Sequence, residues 1–467
     1  MKFAKQLLVI CSLVLTNATL FGQKNRNADV WLTNADQSAL FEKQQTSLSF
    51  GEADNNDSTI YIDDTKTFQP IDGFGFSLTG GSAQLMMKMT PVRRAALIKE
   101  LFAINDKNIG ISYLRVSIGA SDLNEFVFSY DDLPVGETDF ALTKFSLAQD
   151  KKDIIPVLKE ILAVNPKIKI LGSPWSAPVW MKDNNDARGG SLKPDCFDVY
   201  ARYLVKYIKA MKAEGINIDA ITVQNEPLHP GNNPSMLMLA PDQARFVKAN
   251  LGPAFKAANL KTKIVIYDHN CDKPEYPISI LNDPEAKKYI NGSAFHLYAG
   301  KIEALSEVHE AHPDKAVYFT EQWLGAPGNF KRDLAQHITK LTIGATRNWS
   351  RNVLEWNLAA DPASNPHTDR GGCTSCMGGI TIDHDKVIRN PAYYVVAHAS
   401  KFVRPGSVRI QSNILANLSN VAFKTADNQI VLIVINNDAA TQKFSVSYKG
   451  RMIKAMLNSG SVATYVW

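Results

Sequence analysis

Two segments pair a glutamate with neighbours suited to work on a sugar: Thr222-Val223-Gln224-Asn225-Glu226-Pro227 and Tyr318-Phe319-Thr320-Glu321-Gln322-Trp323. Cleaving a glycosidic bond puts positive charge on the sugar ring, so it needs a proton for the leaving oxygen and an anion against the anomeric carbon. Two carboxyl groups supply both. At a separation of about 5 Å they retain configuration through a covalent intermediate, whereas a wider gap admits a water and inverts it. This reading makes Glu226 the acid/base and Glu321 the nucleophile. As acid, Glu226 needs a proton near neutral pH and hence a raised pKa. Asn225 can hydrogen-bond the hydroxyl beside the reacting carbon. Arg115, in Tyr113-Leu114-Arg115-Val116, can pair with a carboxylate and keep it ionised, though it equally suits a structural ion pair. Trp175, Trp180, Trp323 and Trp356 offer aromatic faces for the C–H side of a pyranose. Asp122 can bind sugar hydroxyls with both oxygens.

The elements that must position these groups follow from periodicity. Short β-rich runs alternate with segments of helical period from Ile71 onward. Eight strands are predicted: Asp72 to Leu78, Ile111 to Ile118, Lys167 to Ser173, Ala220 to Asn225, Lys263 to Asp268, Ser293 to Tyr298, Ala316 to Glu321 and Asn352 to Asn357. Stretches such as Arg93 to Phe102, Ile154 to Leu162 and Tyr200 to Lys212 are amphipathic and helical. Eight strands separated by helices give an α/β fold, a closed (β/α)8 barrel, whose strands deliver reacting groups at their C-terminal ends. Both glutamates stand at such ends. Five β-type runs between Val408 and Trp467, together with Thr59 to Ile62, read as an antiparallel sandwich built from both chain ends. The expected division is a leader over 1–22, a sandwich segment over 23–70, the barrel over 71–402 and the C-terminal sandwich over 403–467.

The 467 residues carry a formal charge of +5, or +3 without Lys2 and Lys5, spread without a basic block. That gives nucleic-acid binding no electrostatic support. Lys2 and Lys5 precede an apolar run from Leu7 to Leu15 and then small or polar residues up to Gly22, the pattern of a secretory leader too short to span a membrane. A secreted or periplasmic protein without stable membrane insertion is expected. Such a compartment permits disulfides among Cys196, Cys271, Cys373 and Cys376. Cys373 and Cys376 form a lone C-x2-C, and neither His367 nor His384 completes a zinc spacing, so a local disulfide or two free thiols is expected and no metal.

The chain resembles glycoside hydrolase family 30, in its glucosylceramidase-like branch. The matching segments are D-G-F-G-F at Asp72 to Phe76, L-R-V at Leu114 to Val116, S-P-W-S-A-P-V-W-M-K at Ser173 to Lys182, N-E-P at Asn225 to Pro227, D-P-E-A-K-K-Y at Asp283 to Tyr289 and E-W-N-L at Glu355 to Leu358. The resemblance implies the roles given to Glu226 and Glu321, a glucosyl-binding role for Asp122, Trp175, Asn225 and Trp356, and no cofactor or metal. His296 and Tyr298 resemble a His-Trp-Tyr step that contacts substrate, with Leu297 in place of the central Trp. The loop from Asn365 through Cys373 to Cys376 looks like that of bacterial relatives, some of which act on β-1,6-glucans. The expected activity is a retaining exo-acting β-glucosidase of the glucosylceramidase type, on a β-glucoside, oligosaccharide or glycolipid. A β-1,6-glucanase is the alternative within the family, and a non-catalytic carbohydrate-binding protein the alternative from another class.

Overall fold

The computed structural model describes residues 27–52 and 58–467, so the expected leader lies outside the described residues. Eight parallel strands close into a barrel: Gly73–Leu78, Tyr113–Ile118, Lys169–Pro174, Ala220–Thr222, Lys263–Cys271, Ile290–Gly300, Ala316–Glu321 and Ser350–Asn357. They are the eight predicted strands with shifted ends. Strand four is shorter than expected because its ladder stops at Thr222, after which Asn225 N–H donates to Pro174 O at 2.8 Å and Glu226 N–H to Asp268 O at 3.0 Å. The helices between strands include Pro91–Phe102, Ile154–Val164 and Phe197–Ala213, which cover the predicted amphipathic stretches.

Alternation along the strands stacks the barrel interior in layers. Tyr113, Leu171, Ala220, Val265, Ala294, Tyr318 and Leu354, from seven of the eight strands, form an apolar plug. Two residues further along five of those strands stand Arg115, Ser173, Thr222, His296 and Thr320, all buried and polar. The plug gives this second layer a dry floor, and the layer in turn supports what lies at the strand ends.

A ten-stranded sheet forms the sandwich and takes strands from both chain ends, as predicted. Ser58–Pro70 pairs antiparallel with Val408–Ser412, and Asn27–Thr33 with Val462–Val466. Two features depart from the prediction. Gln442–Tyr448 runs parallel to Ser58–Pro70, and Arg451–Leu457 is an additional strand. The latter is reached through a two-residue hairpin in which Lys449 and Gly450 both have positive φ, the geometry that matches strand twist.

Candidate active site

Arg115 is fully buried and reaches side chains at the ends of strands three, four, five and seven. It donates through Nη1 to Glu321 Oε2 at 2.5 Å, and through Nη2 to Asn225 Oδ1 at 2.6 Å, Asp268 Oδ2 at 2.8 Å and Ser173 Oγ at 3.1 Å. Its guanidinium lies 4.7 Å from the centre of the Trp175 ring, which itself stacks on Trp356 at 5.3 Å. The ion pair and the structural role expected of Arg115 are one arrangement. Glu321 also accepts from Tyr298 Oη at 2.9 Å.

Glu226 follows the end of strand four with φ +43°, an unfavourable backbone for a residue with a Cβ. Strained backbones concentrate at sites of this kind. Its Oε2 accepts from Asn232 Nδ2 at 3.3 Å, and Oε1 lies 3.4 Å from His296 Nδ1 and 3.8 Å from His269 Nδ1. His296 Nδ1 is 3.7 Å from Glu321 Oε1, and Nε2 is 3.2 Å from Asp268 Oδ1. Glu226 and Glu321 thereby present oxygens within 4.8 Å of each other. A gap that small matches the retaining arrangement and leaves no room for the water that an inverting pair needs.

Asp268 is a residue that the sequence reading did not single out. Its carboxylate accepts from Arg115, from Ser173 Oγ at 2.7 Å and from Thr320 Oγ1 at 2.6 Å, besides its contact with His296. Alternation from Val265 aims Tyr267 inward and Asp268 away. A bulge reverses this: Ala294 pairs with Tyr267 and Phe295 with His269, and Tyr267 and Asp268 both adopt positive φ. The only signal available in the sequence was an acid at the end of an apolar strand.

The electrostatics follow from burial and close charges. Burial raises the Asp122 carboxyl, and the charges of Glu321 and Glu226 add to it, up to about 8. Burial works against a charge on His296, but Glu321, Asp268 and Glu226 outweigh it and raise it to about 9. Burial also opposes ionisation of Asp268, yet Arg115 and His296 hold it well below the usual carboxylate range. On Glu321 burial prevails over His296 and Arg115, so its pKa rises. On Glu226 burial is overcome by His296, and its pKa falls. The expected rise at Glu226 is therefore reversed, because an imidazolium sits against it.

A cavity of about 350 Å³ opens above the two glutamates. Asp122, Trp175, Tyr298, Trp323 and Trp356 line it, joined by His229, Asn232, Asn270 and the Cys373–Cys376 disulfide. Trp175 Nε1 is buried without a partner and remains able to donate to a ligand hydroxyl. Two expectations need correction. His296 stands behind the carboxylates rather than on the cavity wall, since it is fully buried with both ring nitrogens engaged, whereas Asn225 gives only its Oδ1 to Arg115. Trp180 lies elsewhere, packed edge-on against Phe140 and donating to Asp131 O at 3.1 Å. Larger cavities lie against the sandwich and beside Trp180, and neither contains a glutamate pair of this kind.

The loop after strand eight closes one side of the mouth. Thr368 N–H donates to Asp122 O at 2.9 Å, Asn233 Nδ2 to Asp369 O at 3.0 Å, and Arg370 pairs with both oxygens of Asp186 at 3.0 Å. Cys376–Met377 pairs with Leu324–Gly325 from the loop after strand seven. The glycines of this loop serve close packing: a Cβ on Gly372 would meet Thr368 O at 2.2 Å, and one on Gly379 the Phe76 ring at 2.4 Å.

A family model described as the glycosyl hydrolase family 30 TIM-barrel domain matches residues 71–403, and one described as the family 30 beta sandwich domain matches residues 406–465. The chain is 33% identical over 437 residues to an endo-1,6-beta-D-glucanase of Neurospora crassa, with 88% of each chain covered. It is 30% identical to the lysosomal acid glucosylceramidase of Mus musculus, across 86% of this chain and 82% of that one. A solved structure of an endo-beta1,6-glucanase superposes with a TM-score of 0.87 at 34% identity, covering 94% of this chain and 99% of that one.

Proposed function

The chain belongs to glycosyl hydrolase family 30, and from that premise we propose that it is a retaining endo-β-1,6-glucanase with Glu226 as acid/base and Glu321 as nucleophile. The observation that carries the retaining mechanism is the pair of carboxylate oxygens within 4.8 Å of each other, backed by Arg115. Glu321 attacks the anomeric carbon while Glu226 protonates the leaving oxygen; water then enters, Glu226 takes its proton, and the glycosyl–Glu321 bond breaks. Trp175 and Trp356 supply the stacking wall, with the Trp175 Nε1 donor free for a hydroxyl.

The linkage rests on the β-1,6-glucanase relatives, which match at somewhat higher identity than the glucosylceramidase. The glucosylceramidase-type exo-glucosidase expected from sequence gives way to it on that ground. With the leader expected over residues 1–22, the proposed place of action is outside the cytoplasm, and N-terminal sequencing of the exported protein tests it. Product analysis on β-1,6-glucan, gentiobiose and glucosylceramide side by side tests the substrate. Internal cleavage of the glucan into mixed oligosaccharides, with β-anomers formed first, is expected. Release of glucose alone from chain ends, or faster release of ceramide, overturns the endo-glucanase reading, and an α-anomer overturns retention.

A further inference from the structure

Two histidines flank Glu226, at 3.4 Å and 3.8 Å from Oε1, but they are placed differently. The nearer, His296, is fully buried and has a carboxylate on its far ring nitrogen: Nε2 lies 3.2 Å from Asp268 Oδ1. His269 Nδ1 has no hydrogen-bond partner, and burial pulls its pKa down to about 4. Only His296 is built to hold a proton and to return to the same tautomer after passing it on.

We infer that His296, held by Asp268, stores the proton that Glu226 delivers, so that the imidazole and the carboxyl act as one acid. This rests on the reading of Glu226 as the acid. In the resting site the proton is on His296 Nδ1 and Glu226 is ionised. As the substrate seats, the Nδ1–H bond breaks and an O–H bond forms on Glu226 Oε1, leaving His296 neutral with its Nε2–H on Asp268. The same proton then bonds to the leaving oxygen as the C–O bond breaks and its electron pair goes to that oxygen, while Glu321 bonds to the anomeric carbon. In the second half Glu226 takes a proton from the attacking water and returns it to Nδ1. Protons and charge balance over the cycle with Asp268 ionised throughout.

Every charged or titratable group around the imidazole bears on its titration. Glu226 approaches from strand four, Asp268 and His269 from strand five, Glu321 from strand seven, and Tyr298 packs its ring edge-on from His296's own strand. Arg115 acts through Asp268 and Glu321, and Asp122 and His229 lie across the cavity. The anions closest to the ring outnumber the cations in contact with them, in agreement with an imidazolium that persists to about 9. The arrangement also accounts for a Glu226 carboxyl whose own pKa is lowered, which is otherwise at odds with an acid's role. Asp268 and His296 touch no substrate atom and are positioning residues.

Three measurements test the inference. In 15N-histidine spectra of the unmodified enzyme, one imidazole is expected to remain protonated above neutral pH and to titrate together with the alkaline limb of kcat/KM. A neutral His296 at the pH optimum overturns the inference even if every variant misfolds. Asp268→Asn is expected to move the alkaline limb down by roughly one pH unit or more. His296→Gln is expected to slow cleavage of β-1,6-gluco-oligosaccharides by about 30-fold or more, and a dinitrophenyl glycoside by less than about threefold, because a good leaving group needs no proton. Folded variants that slow both substrates equally and leave the limb in place make the two residues merely structural. Glu226→Ala separates the two readings: an equal loss on both substrates sinks Glu226 as the acid, whereas a selective loss with an unmoved limb in Asp268→Asn sinks only the proton store.

Discussion

Asp122 lies under the substrate cavity with its carboxyl raised from 3.8 to about 8 by burial and by the two glutamates. Across that interval the folded protein holds a proton that the unfolded chain has lost. The stability tied to this group is fully present below the unfolded pKa and is lost as pH rises through the folded one. Asp122→Asn is therefore expected to melt higher than the parent near pH 8 and to lose that advantage toward the unfolded pKa, while binding substrate more weakly. Melting curves across the interval decide it, and an advantage that grows toward acid refutes it. Glu321→Gln, nearly isosteric, is expected to lower kcat by at least about a thousandfold with an unchanged circular dichroism spectrum. Glu321→Gly with azide is expected to form an α-glycosyl azide, and recovery of the β-azide reassigns the nucleophile. The two glutamates were legible from residue type at strand ends. Asp268 was not, because a bulge turns its side chain inward and a network of charges holds it there.

The loop after strand eight is the element that shapes the mouth. It is tied to the loops after strands two, three, four and seven, and its two cysteines line the cavity together with Asp122. The Cys373–Cys376 bond spans only three positions of sequence, so it closes a small ring and contributes little loop-closure entropy. Replacing both cysteines by Ser is expected to raise KM by about threefold or more and to shift Tm by no more than about 3 °C. Thiol titration of the denatured, leader-free parent comes first: two free sulfurs, those of Cys196 and Cys271, are expected, and four would refute the clamp. A parent-like KM in the double variant would remove this loop from substrate binding. Sequence periodicity located strand eight, from which the loop departs, but not the course of the loop. The close approaches at Gly372 and Gly379 give those residues a packing role, and no local pattern encodes such a contact.

At the scale of the molecule, one face of the sandwich sheet shares an apolar core with the barrel, while the opposite face packs a core of its own. Phe423, Val431, Ile433 and Val462 from the sandwich belong to the same buried cluster as the barrel's Phe74, Phe102 and Val395. His398 on the last helix bridges Thr33 and Thr464 at 2.8 Å and 2.9 Å, which ties the first and last strands of the sheet to the barrel. A single calorimetric transition is expected, and a chain ending at residue 403 is expected to aggregate because it exposes that core. Two resolved transitions, or a soluble and folded truncation, would show the units to be independent. The eight alternating strands and helices, the two sheet-forming ends and the glutamates at strand ends all follow from local periodicity and residue type, which neighbouring residues suffice to encode. The closeness of the two carboxylates, the capture of Asp268 by Arg115 and His296 and the strap across the mouth were decided by tertiary structure alone. Each joins residues far apart in sequence, through barrel closure and through bulges that break the alternation on which the local reading depends.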